Sequence, residues 1–225
     1  MTIPRRKPRR RRFGREPLDI HENPSADQVA DDLLRQYATI ATSLISDNLD
    51  RLAGAVGLRP YHAGGALLGT ALTVRTRRGD NLAIHAALKV ARPGDLLVID
   101  GEGDLGQALI GEIILAAAEA KGVAGFVIDG AIRDVAAIGK SALPCYARGV
   151  IHRGPYKHGP GQINVPVSIG GLVVNPGDLV VGDEDGVVAL SPAFAAELLP
   201  AIRAQEERER VKLASFDKTP KLRTA

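Results

Sequence analysis

From Leu67 to Leu190 the apolar positions follow two periods in turn, and each change of period marks a new element. Alternation predicts a half-buried strand, and apolar spacings of three and four predict a helix. "GALLGTALTVRTRRGD" alternates and turns β-branched toward its end, which reads as a strand. "DNLAIHAALKVARPGD" has helical spacing and stops at Pro93-Gly94, residues that break a helix. "DLLVID" reads as the next strand, "QALIGEIILAAAEAKG" as a helix ended by Gly122, and "VAGFVID" as a buried strand. "GAIRDVAAIGKSALP" is a loop leading into a short helix, and "PCYARGV" a further strand. Upstream, "SADQVADDLLRQY", with Ser25 at its cap position, and "SLISDNLDRL" read as one or two helices. Downstream, a Gly- and Pro-rich stretch carries short strands at "LVV", "DLVVG" and "GVVAL" before a charged final helix, "PAFAAELLPAIRAQEERERVKL". The order predicts a mixed α/β domain whose sheet is completed by hairpins.

One unit of this series carries chemistry. "LLVIDGEGDLGQALIGE" places Gly101-x-Gly103-x-x-Gly106 between a predicted strand and a predicted helix, with Asp129 ending the next apolar run. That is the outline of a dinucleotide-binding turn, in which backbone N–H groups and a helix start meet a pyrophosphate. Here Asp100, Glu102 and Asp104 crowd the loop, and like charges about 4–6 Å apart repel appreciably. The G-K-[ST] of a P-loop is missing too. A different anion site follows from the same unit. Gly111, Glu112, Ile113 and Ile114 lie early in the helix, where N–H groups are free. Arg133 and Asp134 follow the returning strand, and in a βα unit both places lie at one edge of the sheet. Glu112, Arg133 and Asp134 would then share a crevice with a cation for a carboxylate and anions for a hard metal. The plainer reading of Arg133-Asp134 is a surface ion pair.

Charge adds a boundary. Residues 1–16 hold eight Arg/Lys and one Glu, so the other 209 residues sum to −4 against a whole-chain net charge of +3. Residues 1–25 are therefore expected to form a disordered basic arm, 26–200 the folded domain, and 201–225 a charged helix and tail. The arm reads as a solubilising segment or, through residues 5–15, as a contact for RNA or another anionic surface. No apolar run reaches the ~18–20 residues of a membrane span. The lone Cys145 suits a reducing, cytoplasmic setting and the role of a small core hydrophobe. His85 lies on an apolar helix face and reads as packed, while His152 and His158 flank the "RGPYKHGPG" loop without metal-ligand spacing.

Glu112, twenty intervening residues and then Arg133-Asp134 form a signature that the chain shares with a known family. The chain resembles the 4-hydroxy-4-methyl-2-oxoglutarate aldolase and regulator of ribonuclease activity A family, from about Thr39 to Pro192. The phrases "SDNLDRL", "GDNLAIHAALKVARPGDLLVIDGEG" and "IGEIILAAAEAKGVAGFVIDGAIRDVAAI" carry the likeness, as does "RGPYKHGPGQINVPVSIGGLVVNPGDLVVGDEDGVV". The resemblance implies a swivelling β/β/α fold with mixed sheets flanked by helices, in homotrimers or hexamers with sites between subunits. It implies a lyase that cleaves small 2-oxo acids, either 4-hydroxy-4-methyl-2-oxoglutarate or oxaloacetate, to pyruvate through an enolate. Asp134 would hold Mg²⁺ or Mn²⁺, with Glu112 reaching the metal through a water. Arg133 would clamp the substrate carboxylate or enolate oxygen, and N–H groups from Gly111 to Ile114 would receive the carboxylate. An acid/base would come from a neighbouring subunit's C-terminal region, where Glu206, Glu207 and Glu209 stand. The same resemblance leaves open a non-catalytic regulator that binds a ribonuclease.

Overall fold

In a computed structural model of the chain, residues 18–51 and 54–216 are described. The elements run β1 (Ile20–Glu22), α1 (Asp31–Tyr37), α2 (Thr42–Asp47), β2 (Arg59–Pro60), β3 (Leu67–Thr76) and α3 (Leu82–Val90). They continue with β4 (Asp95–Ile110), α4 (Glu112–Ala120), β5 (Gly125–Ile132), α5 (Val135–Ile138) and β6 (Cys145–Val150). The chain then forms β7 (Gly161–Ile163), β8 (Val167–Ile169), β9 (Leu172–Val174), β10 (Leu179–Asp183), β11 (Gly186–Leu190) and α6 (Pro192–Phe216). Nine strands make one mixed sheet in the order β1-β7-β3-β4-β5-β6-β2, with the β10–β11 hairpin paired onto β3. β3, β4, β5 and β6 are parallel, and α3, α4 and α5 cross between them. This is the mixed α/β architecture that the periodicity predicts.

The sheet is covered on both faces, which explains why β5 is apolar on either side of Asp129: all of its residues are buried. One face packs Val74, Ile99, Ile128 and Ile132 against Ile84, Leu88 and Ile114 of α3 and α4. The other packs Leu96, Val98, Val127 and Tyr146 against Val167, Ile169 and Val174 of the β8–β9 hairpin. A further core joins Tyr37, Ile45, Leu198 and Ile202 of α1, α2 and α6 to the β10–β11 hairpin. Cys145 lies fully inside the first core, and burial pushes its thiol up to about 12, so it serves as an inert apolar group.

Two boundaries differ from the sequence expectation. Residues 20–22 pair with β7, so part of the expected arm of 1–25 is strand, and the anion contact expected at residues 5–15 lies outside the described residues. The boundary expected at residue 200 falls inside α6, which is continuous to Phe216.

The larger difference is at the glycine segment, where no strand–loop–helix forms. β4 runs on through it for sixteen residues, and its pairing with β5 slips between Asp100 and Asp104, between Asp104 and Ala108, and between Ala108 and Ile110. Glu102 and Gly103, at φ 56° and 67°, make the bulge. Gly101 is needed because a Cβ there would meet Leu109 and the Asp129 carbonyl. The helical spacing of "QALI" is overridden by pairing of Ala108 with Ala131 and of Ile110 with Ile132, and α4 starts only at Glu112. The segment's acids bind its own N–H groups: Asp100 accepts from Glu102 at 3.0 Å and Asp104 from Gly106 at 3.2 Å. Asp129 accepts from Arg148 and from the Gly170 N–H. The Glu102 and Gly106 N–H groups are therefore engaged, and the helix start lies beyond the segment, at Glu112.

Candidate active site

β4 and β5 end side by side, and their last residues build the crevice. The α4 N-cap is Gly111, directly after β4, and Arg133 and Asp134 follow β5. The Arg133 N–H donates to the Ile110 carbonyl at 3.0 Å, which ties the two strand ends together. Asp134 adopts a left-handed backbone, φ 57° and ψ 37°, at the N-cap of α5. Aspartate tolerates that region better than most residues, and such conformations gather at functional sites. The turn brings its carboxylate back over α4, where Oδ2 accepts the Glu112 N–H at 3.0 Å. Arg133 Nε lies 3.6 Å from the same oxygen.

Glycines make this approach possible. A Cβ on Gly111 would overlap Asp134 Oδ2 and come within 3.1 Å of Arg133 Nε. A Cβ on Gly154 would lie 3.0 Å from Arg133 Nη1. Arg133 is thus held between two side-chain-free surfaces while 39% of its side chain stays exposed, with Asp134 at 42%. The plain ion-pair reading is incomplete, since the pair is fastened to a helix start. Of the four N–H groups considered from sequence, Glu112 donates to Asp134 and Ile114 to the Gly111 carbonyl. Those of Gly111 and Ile113 have no acceptor among the described residues.

Gly111, Ile113, Ile114 and Arg133 line one cavity of about 70 Å³, together with Asn81, His85 and Lys157. Sequence reading missed these last three as a set. Asn81 gives its Nδ2 to the Leu109 carbonyl at 3.1 Å, and among the described residues neither its buried Oδ1 nor His85 Nε2 has a partner. His85, expected to be packed, is half-buried at the cavity wall. Burial, then the charges of Lys157 and Lys89, hold its pKa below the usual imidazole value, so the ring is neutral at pH 7. No local motif joins these residues; α3 and the loop before β7 meet only in the fold.

Other candidates fall elsewhere. The Glu112 side chain is exposed and lines a separate groove with Glu119 and Lys140, so only its backbone joins Asp134. Glu206 pairs with Arg203, Glu207 with Arg210, and Glu209 accepts from Gln205, all within α6 and none lining the cavity. Hydrogen bonding from Arg210 holds the Glu207 carboxyl below its ordinary value. The backbone N–H of His158 is engaged with Asp80, while neither His152 nor His158 lines the cavity. No group of three His, Cys, Asp or Glu among the described residues encloses an ion.

The RraA-like family model, described as Aldolase/RraA, matches residues 42–189. A protein of Halalkalibacterium halodurans, provisionally named a 4-hydroxy-4-methyl-2-oxoglutarate aldolase, is 40% identical over 188 residues, 81% of this chain and 90% of that one. An uncharacterized protein from Pseudomonas syringae pv. tomato superposes with a TM-score of 0.76 at 28% identity, over 86% of this chain and 97% of its own. Streptomyces coelicolor RraAS2, described as an unusual member of the RNase ES inhibitor RraA family, gives 0.76 at 26% identity, over 83% and 98%. The family match runs from the start of α2 into β11, taking in α4 and the Arg133-Asp134 turn but not β1, and on it the chain belongs to the RraA-like, Aldolase/RraA family.

Proposed function

We propose that the protein is a lyase that releases pyruvate from small 2-oxo acids, by retro-aldol cleavage of 4-hydroxy-4-methyl-2-oxoglutarate or decarboxylation of oxaloacetate. The observation that supports the reading is a cavity lined by Arg133, Gly111 and Ile113, with Asp134 outside its lining but 3.6 Å from Arg133 Nε and seated on the Glu112 N–H. The donor set suits Mg²⁺ or Mn²⁺. Asp134 Oδ1 has no hydrogen-bond partner among the described residues, and a hard cation of this kind takes one or two carboxylates and keeps several waters. Asp134 would hold it, and Glu112 would reach it through a water only once its side chain leaves the groove it lines with Glu119 and Lys140. The chemistry that cation supplies when bound is Lewis acidity toward a keto oxygen.

The chain's own groups do the rest. Arg133 presents a planar fork that receives a carboxylate in two hydrogen bonds. The Gly111 and Ile113 N–H groups add the positive end of α4, and Lys157 adds a second cation to the cavity. In the retro-aldol direction the C4 hydroxyl loses its proton and the C3–C4 bond breaks. The bonding pair becomes the pyruvate enolate, whose charge develops in front of Arg133, and a proton returns to C3. Fixed charge aimed at such a developing anion is commonly the largest catalytic contribution. The base for the hydroxyl would be Glu206, Glu207 or Glu209 from a second copy in a homotrimer or hexamer.

The test is pyruvate formation from either substrate with Mg²⁺. Chelation and Asp134→Ala should each lower kcat/KM by about 100-fold or more, the scale of losing a transition-state contact. A second reading, inhibition of a ribonuclease by surface contact, is favoured by the likeness to the Streptomyces coelicolor protein. Tight binding to a ribonuclease, with no pyruvate from any 2-oxo acid, would select it and end the lyase account.

A further inference from the structure

Asp80 lies in the turn between β3 and α3, fully buried, and does not line the cavity. A buried carboxylate is costly unless donors surround it, and Asp80 draws its donors from two separate segments. Oδ1 accepts the Leu82 N–H at 2.9 Å, at the start of α3. Oδ2 accepts the N–H groups of His158 at 2.8 Å and Gly159 at 3.1 Å, with Arg77 Nη2 at 3.5 Å. The same turn adds Asn81 N–H to the Tyr156 carbonyl at 3.0 Å and Tyr156 N–H to the Gly79 carbonyl at 2.7 Å. The Arg77 guanidinium stands 5.6 Å from the centre of the Tyr156 ring. Apart from these bonds, the 153–159 segment is tethered by Ala108 N–H to the Arg153 carbonyl and Leu18 N–H to the His158 carbonyl.

The residue between Tyr156 and His158 is Lys157, which lines the cavity beside Arg133, and Gly154 of the same segment backs Arg133. We infer that Asp80 is a positioning residue: it clamps residues 156–159 so that Lys157 faces the pocket where Arg133 would receive the carboxylate of a 2-oxo acid. The substrate half of this inference rests on the lyase reading, and the clamp itself does not. A carboxylate is required because two N–H donors converge on one oxygen while the other oxygen caps α3. An amide would turn its NH₂ toward donors on one side or the other.

Asp80→Asn tests it by two readouts. Amide hydrogen exchange at His158 and Gly159 should rise about tenfold or more, while β4 and β5 stay protected, as expected of a local opening. KM for the 2-oxo acid should rise about tenfold with kcat within about threefold, the mark of lost ground-state binding. Lys157→Ala should do the same, and the double variant should be no worse than the worse single one, because the two act through one contact. Unchanged exchange at residues 158–159, or kinetic losses that simply add, would overturn the inference. Arg77→Met, which removes the paired cation and leaves the carboxylate, is the milder variant and must move both readouts in the same direction should Asp80→Asn fail to fold. A wild type that forms no pyruvate removes the lyase reading, and hydrogen exchange then judges the clamp alone.

Discussion

At Gly111 the absence of a side chain is what lets a carboxylate rest on a helix start. Its φ of −155° is ordinary extended backbone, so alanine would meet no backbone strain there. The obstacle is spatial: an added Cβ would overlap Asp134 Oδ2. Gly111→Ala should therefore keep the fold, lose about 1 kcal/mol in urea unfolding as a poorer helix cap, and lose about 100-fold in pyruvate formation as Asp134 swings away. Full activity in that variant would mean that the carboxylate's seat on Glu112 is not needed. His85 gives a second residue-scale outcome. Its charged form is disfavoured in the folded state by burial and by Lys157, so the folded pKa lies below that of the unfolded chain. Between those two values the unfolded chain binds a proton that the folded one does not, and stability falls as pH falls through that window. Thermal unfolding from pH 7.5 to 5.5, compared between wild type and His85→Gln, should show a smaller drop in the variant.

The β8–β9 hairpin is held over the sheet by acids within β4 and β5, and those bonds set what one element contributes. Asp129, midway along β5, accepts from Arg148 of β6 and from the Gly170 N–H in the hairpin turn. Asp100 of β4 accepts the Ser168 N–H at 3.4 Å. Arg148→Met leaves the buried Asp129 carboxylate with the backbone donor alone, and should cost about 2–4 kcal/mol in denaturant unfolding. A loss below about 0.5 kcal/mol would mean solvent already screens the pair. These acids also show where sequence legibility ends. Buried parallel strands announce themselves, because β5 is apolar at nearly every position and Gly and Pro punctuate its neighbours. The Glu112 to Asp134 spacing was legible for the same reason: one βα unit returns both residues to one edge of the sheet. The glycine segment was misread because G-x-G-x-x-G spacing also suits a strand with repeated register slips, and pairing with β5 decides between them. Asn81, His85 and Lys157 were invisible as a set because α3 and the 152–159 loop meet only through the turn around Asp80.

In the whole molecule, α6 is longer than its own protomer uses. Ala195, Leu198 and Ile202 are its buried residues, whereas Val211, Leu213 and Phe216 are more than half exposed. A stretch of roughly ten residues beyond the last packed turn gains little from propensity alone, and exposed ion pairs such as Glu207 with Arg210 add little more. Such an extension makes physical sense if a second copy receives it, which would also bring Glu206, Glu207 or Glu209 to the Arg133–Asp134 site of that copy. Sedimentation should then report a mass near three or six times 23.7 kDa. Subunit mixing tests the shared site directly. Asp134→Ala and a triple Glu→Gln variant at 206, 207 and 209 should each be inactive as pure assemblies. Unfolded together and reassembled in equal amounts, they should recover about a quarter of wild-type turnover, since in a ring of heterologous contacts that fraction of interfaces joins an intact Asp134 to intact glutamates. A mixture that stays inactive, while its mass shows that hybrids have formed, would place the base within one protomer. His85, with its neutral ring and free Nε2 at the cavity wall, would then be the first group to substitute.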